Sequence, residues 1–133
     1  MTRERVARCR CGQLTATCVG EPVRVSVCHC RDCRRRTGSA FSAQARFPDA
    51  AVTIAGDARV WESAGDSGRR AFFRWCPACG STVFYTNEGM DGLVAVLLGA
   101  FEGDDVPVPR VSVWEERRLP WVEIVGEDVA HEW

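Results

Sequence analysis

Lysine is absent from this 133-residue chain, and all 17 of its basic residues are arginine. We attribute this bias to the codon usage of a GC-rich genome and draw no functional conclusion from it. The 18 acidic residues leave a formal net charge of −1, so the composition as a whole is not that of a protein that binds polyanions.

Long apolar segments are also lacking. No run approaches the roughly 20 residues that a bilayer-spanning helix needs, and the N-terminal stretch MTRERVARCRCG has no hydrophobic segment of the signal-peptide type. We therefore expect a cytoplasmic protein without a membrane partner. No linker, repeat or low-complexity tract divides the chain, so we expect one domain over residues 1–133, which is long enough to bury a core.

Helix signals are scarce, and only Asp32–Arg36 predicts a helical turn, ended by Gly38. Most other segments are short, rich in Val, Thr, Phe and Trp, and bounded by Gly, Pro or Asp, which favours an all-β fold of short antiparallel strands. The apolar run Leu93–Leu98 is typical of a central strand, Gly65–Gly68 of a hairpin turn, and Glu102–Pro109 of a surface loop. The predicted strands are Leu14–Val19, Val23–Val27, Ser39–Phe47, Val52–Ile54, Arg59–Ser63, Arg70–Trp75, Val83–Tyr85, Leu93–Phe101, Val111–Trp114 and Trp121–Val125.

Cysteine is abundant, with eight residues, and its spacing is the strongest functional signal in the chain. Secreted disulfide scaffolds spread their cysteines out, whereas C-x-C and C-x-x-C groups in a reducing compartment are typical of metal sites. We therefore predict metal binding. The groups are Cys9-x-Cys11, Cys28-x-Cys30-x-x-Cys33 and Cys76-x-x-Cys79, with Cys18 standing alone.

Two of these groups, Cys9–Gly12 and Cys76–Gly80, end in glycine. A tight turn around a metal points backbone N–H groups at the thiolate sulfurs, and glycine permits the positive φ that this often requires. Together the two groups supply four thiolates, the closed tetrahedral set of a structural zinc. Such an ion would tie the N-terminal strand to the Arg70–Tyr85 hairpin and contribute folding free energy directly.

The third group, Cys28–Cys33, has three thiolates and no matching pair. Cys18 or His29 could supply a fourth ligand, but Cys18 lies mid-strand, and His29 should point away from its flanking cysteines in an extended chain. We expect His131 to lie in a frayed terminus. Three protein ligands with an open or solvent-filled fourth position are the layout of a catalytic zinc, so the sequence predicts two zinc ions per chain.

Four arginines surround this third group. With three thiolates a zinc site carries a net charge of −1, which nearby arginines could offset, and they could also attract an anionic substrate. The alternative is a solvated basic face. The residues concerned are Arg31, Arg34, Arg35 and Arg36.

Three segments of the sequence resemble the glutathione-dependent formaldehyde-activating enzyme (GFA) family, which includes relatives of centromere protein V: RCRCGQLTATC, CHCRDCRRRTGSAF and RAFFRWCPACGSTVFY. The match is ordered and covers roughly residues 6–122. The resemblance implies a β-rich fold whose sheets lean together like a tent. It also implies a structural zinc on Cys9, Cys11, Cys76 and Cys79 and a catalytic zinc on Cys28, Cys30 and Cys33.

The namesake reaction of that family joins formaldehyde and glutathione as S-hydroxymethylglutathione, which is carbon–sulfur lyase chemistry. The resemblance therefore implies a lyase that joins or cleaves a small aldehyde and a thiol such as glutathione. Zinc would either hold the thiol as thiolate or polarise the aldehyde oxygen. Asp32 is a candidate for proton transfer or for capping the local turn. The pattern departs after Pro109, where Arg110 replaces the His that relatives often carry.

Two other functions stay open from the residues alone. A zinc-braced β module could bind a protein or a nucleic acid without catalysis, but the net charge and the acidic pairs Asp104-Asp105 and Glu115-Glu116 argue against nucleic acid. The other hypothesis is a metal buffer or redox sensor, with Cys18 or Cys33 as the oxidisable thiol. Four tryptophans could line a pocket but are more typical of a core: Trp61, Trp75, Trp114 and Trp121.

Overall fold

The computed structural model describes residues 3–65 and 68–133. Within these ranges the chain forms eleven β-strands and one short α-helix, so the all-β prediction is confirmed. None of the described helices is long and apolar enough to span a membrane. The elements are β1 (Glu4–Arg8), β2 (Thr15–Val19), β3 (Arg24–Cys28), α1 (Arg31–Thr37), β4 (Ser42–Pro48), β5 (Val52–Ala55), β6 (Arg59–Ala64), β7 (Arg70–Trp75), β8 (Thr82–Asn87), β9 (Leu93–Leu97), β10 (Val111–Val113) and β11 (Ala130–His131).

The strands form two sheets. The smaller sheet has the order β1-β2-β5, and the larger has the order β11-β10-β3-β4-β9-β8-β7-β6. The pairs are antiparallel, as predicted, except that β10 runs parallel to both β3 and β11. Strand β9 lies between β4 and β8 with its three middle residues buried, which confirms the prediction from its apolar run.

One hydrophobic core joins the two sheets. Ala16 and Cys18 of the smaller sheet belong to the same buried cluster as Phe47 and Val96 of the larger sheet. Successive side chains of a strand point to opposite faces, so Ala45 and Phe47 of β4 face this core, whereas the alternate residues of β4 face the other side of the larger sheet.

That other side of the larger sheet carries a second, smaller cluster made of Phe73, Tyr85 and Ala95. The residues of β4 that point there are polar and buried: Ser42, Gln44 and Arg46. A buried polar surface costs free energy unless its groups are hydrogen-bonded, so this side of the sheet is where a functional site is expected.

Several elements differ from the sequence prediction. Trp121–Val125 forms no strand. Only Val122 of this segment is buried, and the chain turns there, because the N–H of Val122 donates a hydrogen bond to the carbonyl oxygen of Leu119. The strand predicted over Leu93–Phe101 ends at Leu97 and continues as a 3-10 turn. Strand β1 was missed because Arg5, paired with Glu21 and Asp105, occupies an inward position.

The loop prediction for Glu102–Pro109 is confirmed, since these residues contain no strand or helix. The predicted hairpin turn at Gly65–Gly68 includes residues 66 and 67, which lie outside the described ranges. The strands on either side of it, β6 and β7, pair antiparallel, as a hairpin requires.

Gly56 provides a test of how closely two turns pack. Its φ is +95°, and a Cβ atom there would lie 1.9 Å from the backbone oxygen of Gln13, whereas Gly38 has a φ of +70° and open space around it. We expect Gly56→Ala to lower the free energy of unfolding by about 3 kcal/mol, since it adds a clash to the backbone strain. Gly38→Ala should cost only about 1 kcal/mol. Denaturant unfolding compares the two variants, and equal losses would contradict the close approach of the turns.

Candidate metal centres and the adjoining cavity

All eight cysteines are free thiols, and seven of them gather in two clusters. The four-cysteine cluster contains Cys9, Cys11, Cys76 and Cys79, and the three-cysteine cluster contains Cys28, Cys30 and Cys33. Within each cluster all the Sγ atoms lie within 4.8 Å of one another, so each could hold a metal ion. The structure thus brings together the sets that the sequence spacing grouped, while the identity of the ion stays a prediction.

The sulfur spacing of the four-cysteine cluster fits a tetrahedral zinc ion. Cys9 Sγ lies 3.6 Å from Cys11 Sγ, which lies 3.7 Å from Cys76 Sγ. Four zinc–sulfur bonds of about 2.3 Å define a tetrahedron whose edges are about 3.8 Å, which is close to these separations. A disulfide would instead need a separation of about 2.05 Å.

Hydrogen-bond donors point at these sulfurs. The backbone N–H of Leu14 donates to Cys9 Sγ and that of Ala78 to Cys76 Sγ, each at 3.3 Å, and Gln13 Nε2 donates to Cys76 Sγ at 3.0 Å. Such donors stabilise the thiolate form that binds a metal.

The two glycines that follow the cysteine pairs have the positive φ that the sequence predicted, +86° at Gly12 and +81° at Gly80. Hydrogen bonding with Ser81 lowers the pKa of Cys79 to about 5.

The first pair of cysteines follows β1 of the smaller sheet, and the second pair lies between β7 and β8 of the larger sheet. An ion held here would fasten one sheet to the other.

The three-cysteine cluster is built where β3 passes into α1. Cys28 ends the strand, and Cys30 is the N-cap residue of the helix, with its Sγ accepting a hydrogen bond from the N–H of Cys33 at 3.3 Å. A sulfur therefore caps the helix, and the expected cap by Asp32 is wrong. The predicted end of the helix is confirmed, because Gly38 has a φ of 70° and its N–H donates to the carbonyl of Arg34.

The surroundings favour ionisation of one sulfur at this cluster, that of Cys33, whereas hydrogen bonding with Cys33 raises the pKa of Cys28 and burial raises the pKa of Cys30. Hydrogen bonding from Cys28 lowers the pKa of Cys33 to about 5 against the opposing effect of burial. Ser42 and the positive charge of Arg36 act in the same direction as Cys28. Partly buried thiolates beside a cation are the donors that a zinc ion needs.

None of the considered fourth ligands joins these three cysteines. Cys18 is buried in the core between the sheets, where burial raises its pKa to about 11. His29 points away, as predicted, with Nε2 2.8 Å from Ser112 Oγ. His131 does not lie in a frayed terminus, because it belongs to β11 and its Nδ1 lies 2.7 Å from a Glu115 oxygen. Across residues 3–65 and 68–133, no other His, Cys, Asp or Glu completes the cluster.

A cavity of about 600 Å³ opens beside Cys33. A row of residues on one face of the larger sheet forms part of its lining, and each residue of the row is paired in register with the next. Directly opposed residues of antiparallel strands point to the same face, so the row is one surface. In strand order it consists of Trp61, Phe73, Tyr85, Ala95 and Arg46, and all of these except Ala95 line the cavity.

A chain of buried polar side chains leads from the three-cysteine cluster to Tyr85. It begins at Ser42, which is in register with Cys28 and whose Oγ donates to Gln44 Oε1 at 3.1 Å. Gln44 Nε2 donates to Ser26 Oγ at 2.7 Å. Arg46 then donates to that same Oγ at 3.4 Å and to Tyr85 Oη at 3.3 Å.

Two cations converge on Tyr85. The guanidinium carbons of Arg36 and Arg46 lie 5.4 Å and 5.7 Å from the centre of its ring. In the described part of the chain, no carboxylate lies within ion-pair distance of either arginine. Arg35 also lines the cavity, whereas Arg31 is exposed, so the predicted arginine group is divided between the cavity and solvent.

The tryptophans do not form the core that the sequence favoured. Trp61 lines the cavity and is 52% exposed, and Trp114 and Trp121 are also exposed. The aromatic residues beside the three-cysteine cluster are functional candidates. The sequence could not show that they lie together, since they come from separate strands.

Comparison with known proteins agrees with the cysteine geometry. The sequence profile described as glutathione-dependent formaldehyde-activating enzyme matches residues 4–117. The chain belongs to this family. GFA family membership supports a glutathione-dependent function related to an aldehyde, and the two cysteine clusters are consistent with zinc.

A crystal structure of a Rhodobacter sphaeroides protein resembles this GFA chain, with a TM-score of 0.58 and 18% sequence identity. The likeness covers 74% of this chain and 88% of that chain. At this level of identity it shows the fold alone. No curated protein matches the chain significantly.

The two clusters predict different responses to the loss of one sulfur. Cys79→Ser weakens the link between the sheets, so we expect Tm to fall by about 10 °C or more. Cys30→Ser should lose one of two bound metal ions and keep the fold, since α1 adds few contacts to the core. Metal analysis measures the number of bound ions, and thermal melts measure Tm. Cys18→Ala is the control and should retain two ions. Equal loss of stability in the two serine variants would show that both clusters are structural.

Proposed function

We propose that this GFA family member is a zinc-dependent carbon–sulfur lyase that joins, or in reverse separates, a small aldehyde and a thiol such as glutathione. One observation carries the proposal: among the residues that the structure describes, three cysteines gather without a fourth protein ligand, and one of them, Cys33, lines a cationic cavity. Three protein ligands with a free position are typical of catalytic zinc, whereas four are typical of structural zinc.

The donor set of the site suits zinc. Cys28, Cys30 and Cys33 would hold the ion, because thiolates are soft ligands that favour zinc over harder cations. Zinc bound there would supply a fourth position at which an incoming thiol is kept as thiolate, the nucleophilic form. The catalytic role of the three cysteines would therefore be to hold the ion and, through it, to orient this nucleophile.

The cavity offers the charge that an anionic thiol needs. Glutathione carries two carboxylates and one ammonium group at neutral pH. Arg35, Arg36 and Arg46 line the cavity, and a guanidinium presents a planar set of donors that matches a carboxylate. These side chains would bind the acidic ends of the thiol and bring its sulfur next to Cys33.

The carbon–sulfur bond forms when the thiolate sulfur attacks the carbonyl carbon of the aldehyde. As this bond forms, the electron pair of the C=O π bond moves to the oxygen, which must then be protonated. The product is a hydroxymethyl thioether or its substituted analogue. In reverse, the hydroxyl loses its proton, the carbonyl re-forms, and the sulfur leaves as thiolate.

Tyr85 is the proton donor that the cavity provides. Arg46 can only donate, so the Tyr85 oxygen accepts its hydrogen bond and keeps its own proton for another partner. Burial raises the pKa of Tyr85, which keeps the hydroxyl protonated at neutral pH. After transfer to the substrate oxygen, Arg36 and Arg46 stabilise the phenolate until solvent returns a proton.

The reaction itself can be followed by exchange NMR. We expect the metal-loaded chain to accelerate the exchange of formaldehyde between its hydrate and S-hydroxymethylglutathione, and Cys30→Ser to lose this acceleration while remaining folded. If exchange in the presence of the wild type, like that in the presence of Cys30→Ser, is no faster than in buffer alone, the lyase proposal is wrong.

Tyr85→Phe tests the proton donor. It deletes one hydroxyl and keeps the ring, so we expect kcat to fall by about 100-fold with KM changed by no more than about threefold. The same NMR exchange measurement gives both constants. An unchanged kcat in a folded, metal-loaded Tyr85→Phe variant would show that the proton comes from elsewhere.

A further inference from the structure

Formaldehyde does not account for the aromatic lining of the cavity. The rings of Trp61 and Phe73 stack with their centroids 5.7 Å apart, and those of Phe73 and Tyr85 lie 4.8 Å apart. Formaldehyde has no apolar substituent that could contact such a surface. Trp61 is half exposed at the edge strand β6, where an indole ring without a ligand leaves apolar area in water.

At the inner end of the same cavity, the described residues place no carboxylate within ion-pair distance of Arg46. Arg46 is only 8% exposed, and within residues 3–65 and 68–133 its Nε has no hydrogen-bond partner, although a buried charge is costly unless it is compensated. Arg70, farther along the cavity, shows the contrast, because it pairs with both Glu62 and Glu88. The lining therefore contains one arginine whose charge the protein neutralises and another whose charge it leaves to a ligand.

The charges around Tyr85 indicate that the ligand is an anion. A divalent ion on three thiolates has a net charge of −1, and it lies close enough to Tyr85 for Cys28 and Cys33 to act electrostatically on the phenol. Arg36 and Arg46 bring two positive charges to the same ring. The exposed Arg35 adds a further cation to the same cavity, so the lining favours a carboxylate as the anionic group of the ligand.

We propose that this cavity is a binding site for a carboxylate-bearing molecule with an aromatic ring, the ring lying against Trp61 and the carboxylate between Arg36 and Arg46. Arg36 lies 4.3 Å from the centre of the Phe73 ring, next to Trp61, so both contacts are within reach of one arylalkyl carboxylate. The assignment rests on the proposed function in one respect. In the proposed reaction the ring belongs to the aldehyde substrate, which is therefore an aromatic aldehyde.

Calorimetric titration of the metal-loaded chain with 4-phenylbutyrate and with butyrate tests the site without any thiol chemistry. We expect 4-phenylbutyrate to bind about tenfold more tightly than butyrate, because only it has a ring to stack. Trp61→Ala should remove this preference, and Trp121→Ala, a change at an exposed tryptophan outside the cavity, should keep it. Equal affinities for the two acids, or a preference that survives in Trp61→Ala, would overturn the proposal.

The carboxylate contact has its own matched pair of variants. Arg36→Gln should weaken the binding of both acids by about tenfold, since one charge-assisted contact is lost, whereas Arg31→Gln on the exposed side of α1 should leave both unchanged. Arg36 is only partly buried, so its replacement avoids the folding risk of replacing Arg46. Equal effects of the two substitutions would show general electrostatic attraction in place of a specific contact.

Failure of this inference differs from failure of the proposed function. Exchange of S-hydroxymethylglutathione without any preference for 4-phenylbutyrate would overturn the aromatic site and leave the lyase standing. A Trp61-dependent preference in a chain that does not accelerate exchange would support the site and remove the reaction. If both hold, Trp61→Ala should lower kcat/KM for the glutathione adduct of benzaldehyde about tenfold relative to that of formaldehyde. An unchanged ratio would refute the aromatic aldehyde.

Discussion

The pairing register of β3, β4, β9, β8, β7 and β6 determines which side chains meet at the cavity. In β4 the residues alternate between the core that joins the two sheets and the polar side of the larger sheet, so a slip of one residue would bury Arg46 among apolar side chains and expose Phe47. The same register sets Ser42 opposite Cys28 and continues the Arg46 row through Ala95 to Tyr85. One set of backbone hydrogen bonds thus positions Cys28, the proposed proton donor Tyr85 and the aromatic residues.

In the proposed function, one cysteine cluster stabilises the fold and the other takes part in the chemistry. The four-cysteine cluster connects the end of β1 to the turn between β7 and β8, where the two sheets need a link beyond their shared core. The three-cysteine cluster lies at the junction of β3 and α1, beside a cavity lined by Arg35, Arg36 and Arg46. A closed set of sulfurs suits the first task, and a set with a free position suits the second, because only a free position admits an external thiol.

Local signals in the sequence predicted both cysteine sets, the glycine turns at Gly12 and Gly80, the end of α1 at Gly38 and the central position of β9, because each depends on spacing or on a short pattern. Strand β1 was not predicted, because one of its inward-facing residues is Arg5, whose charge is neutralised by residues distant in the sequence. The row from Trp61 to Arg46 could not be predicted, since it depends on pairing among five strands that single-sequence patterns do not specify. Trp121–Val125 has strand-like composition but buries only Val122, so it has no buried face of the kind that fixes a strand.

The central claim is that the ion on Cys28, Cys30 and Cys33 keeps one coordination position for an external thiol. Cobalt(II) replacing zinc tests it most directly, because its sulfur-to-metal charge-transfer absorption reports the number of bound thiolates. The account predicts that glutathione increases this absorption in the wild-type chain, with saturation at one thiol per chain and no increase in Cys30→Ser. An absorption already at the level of two four-thiolate sites, and unchanged by glutathione, would contradict it.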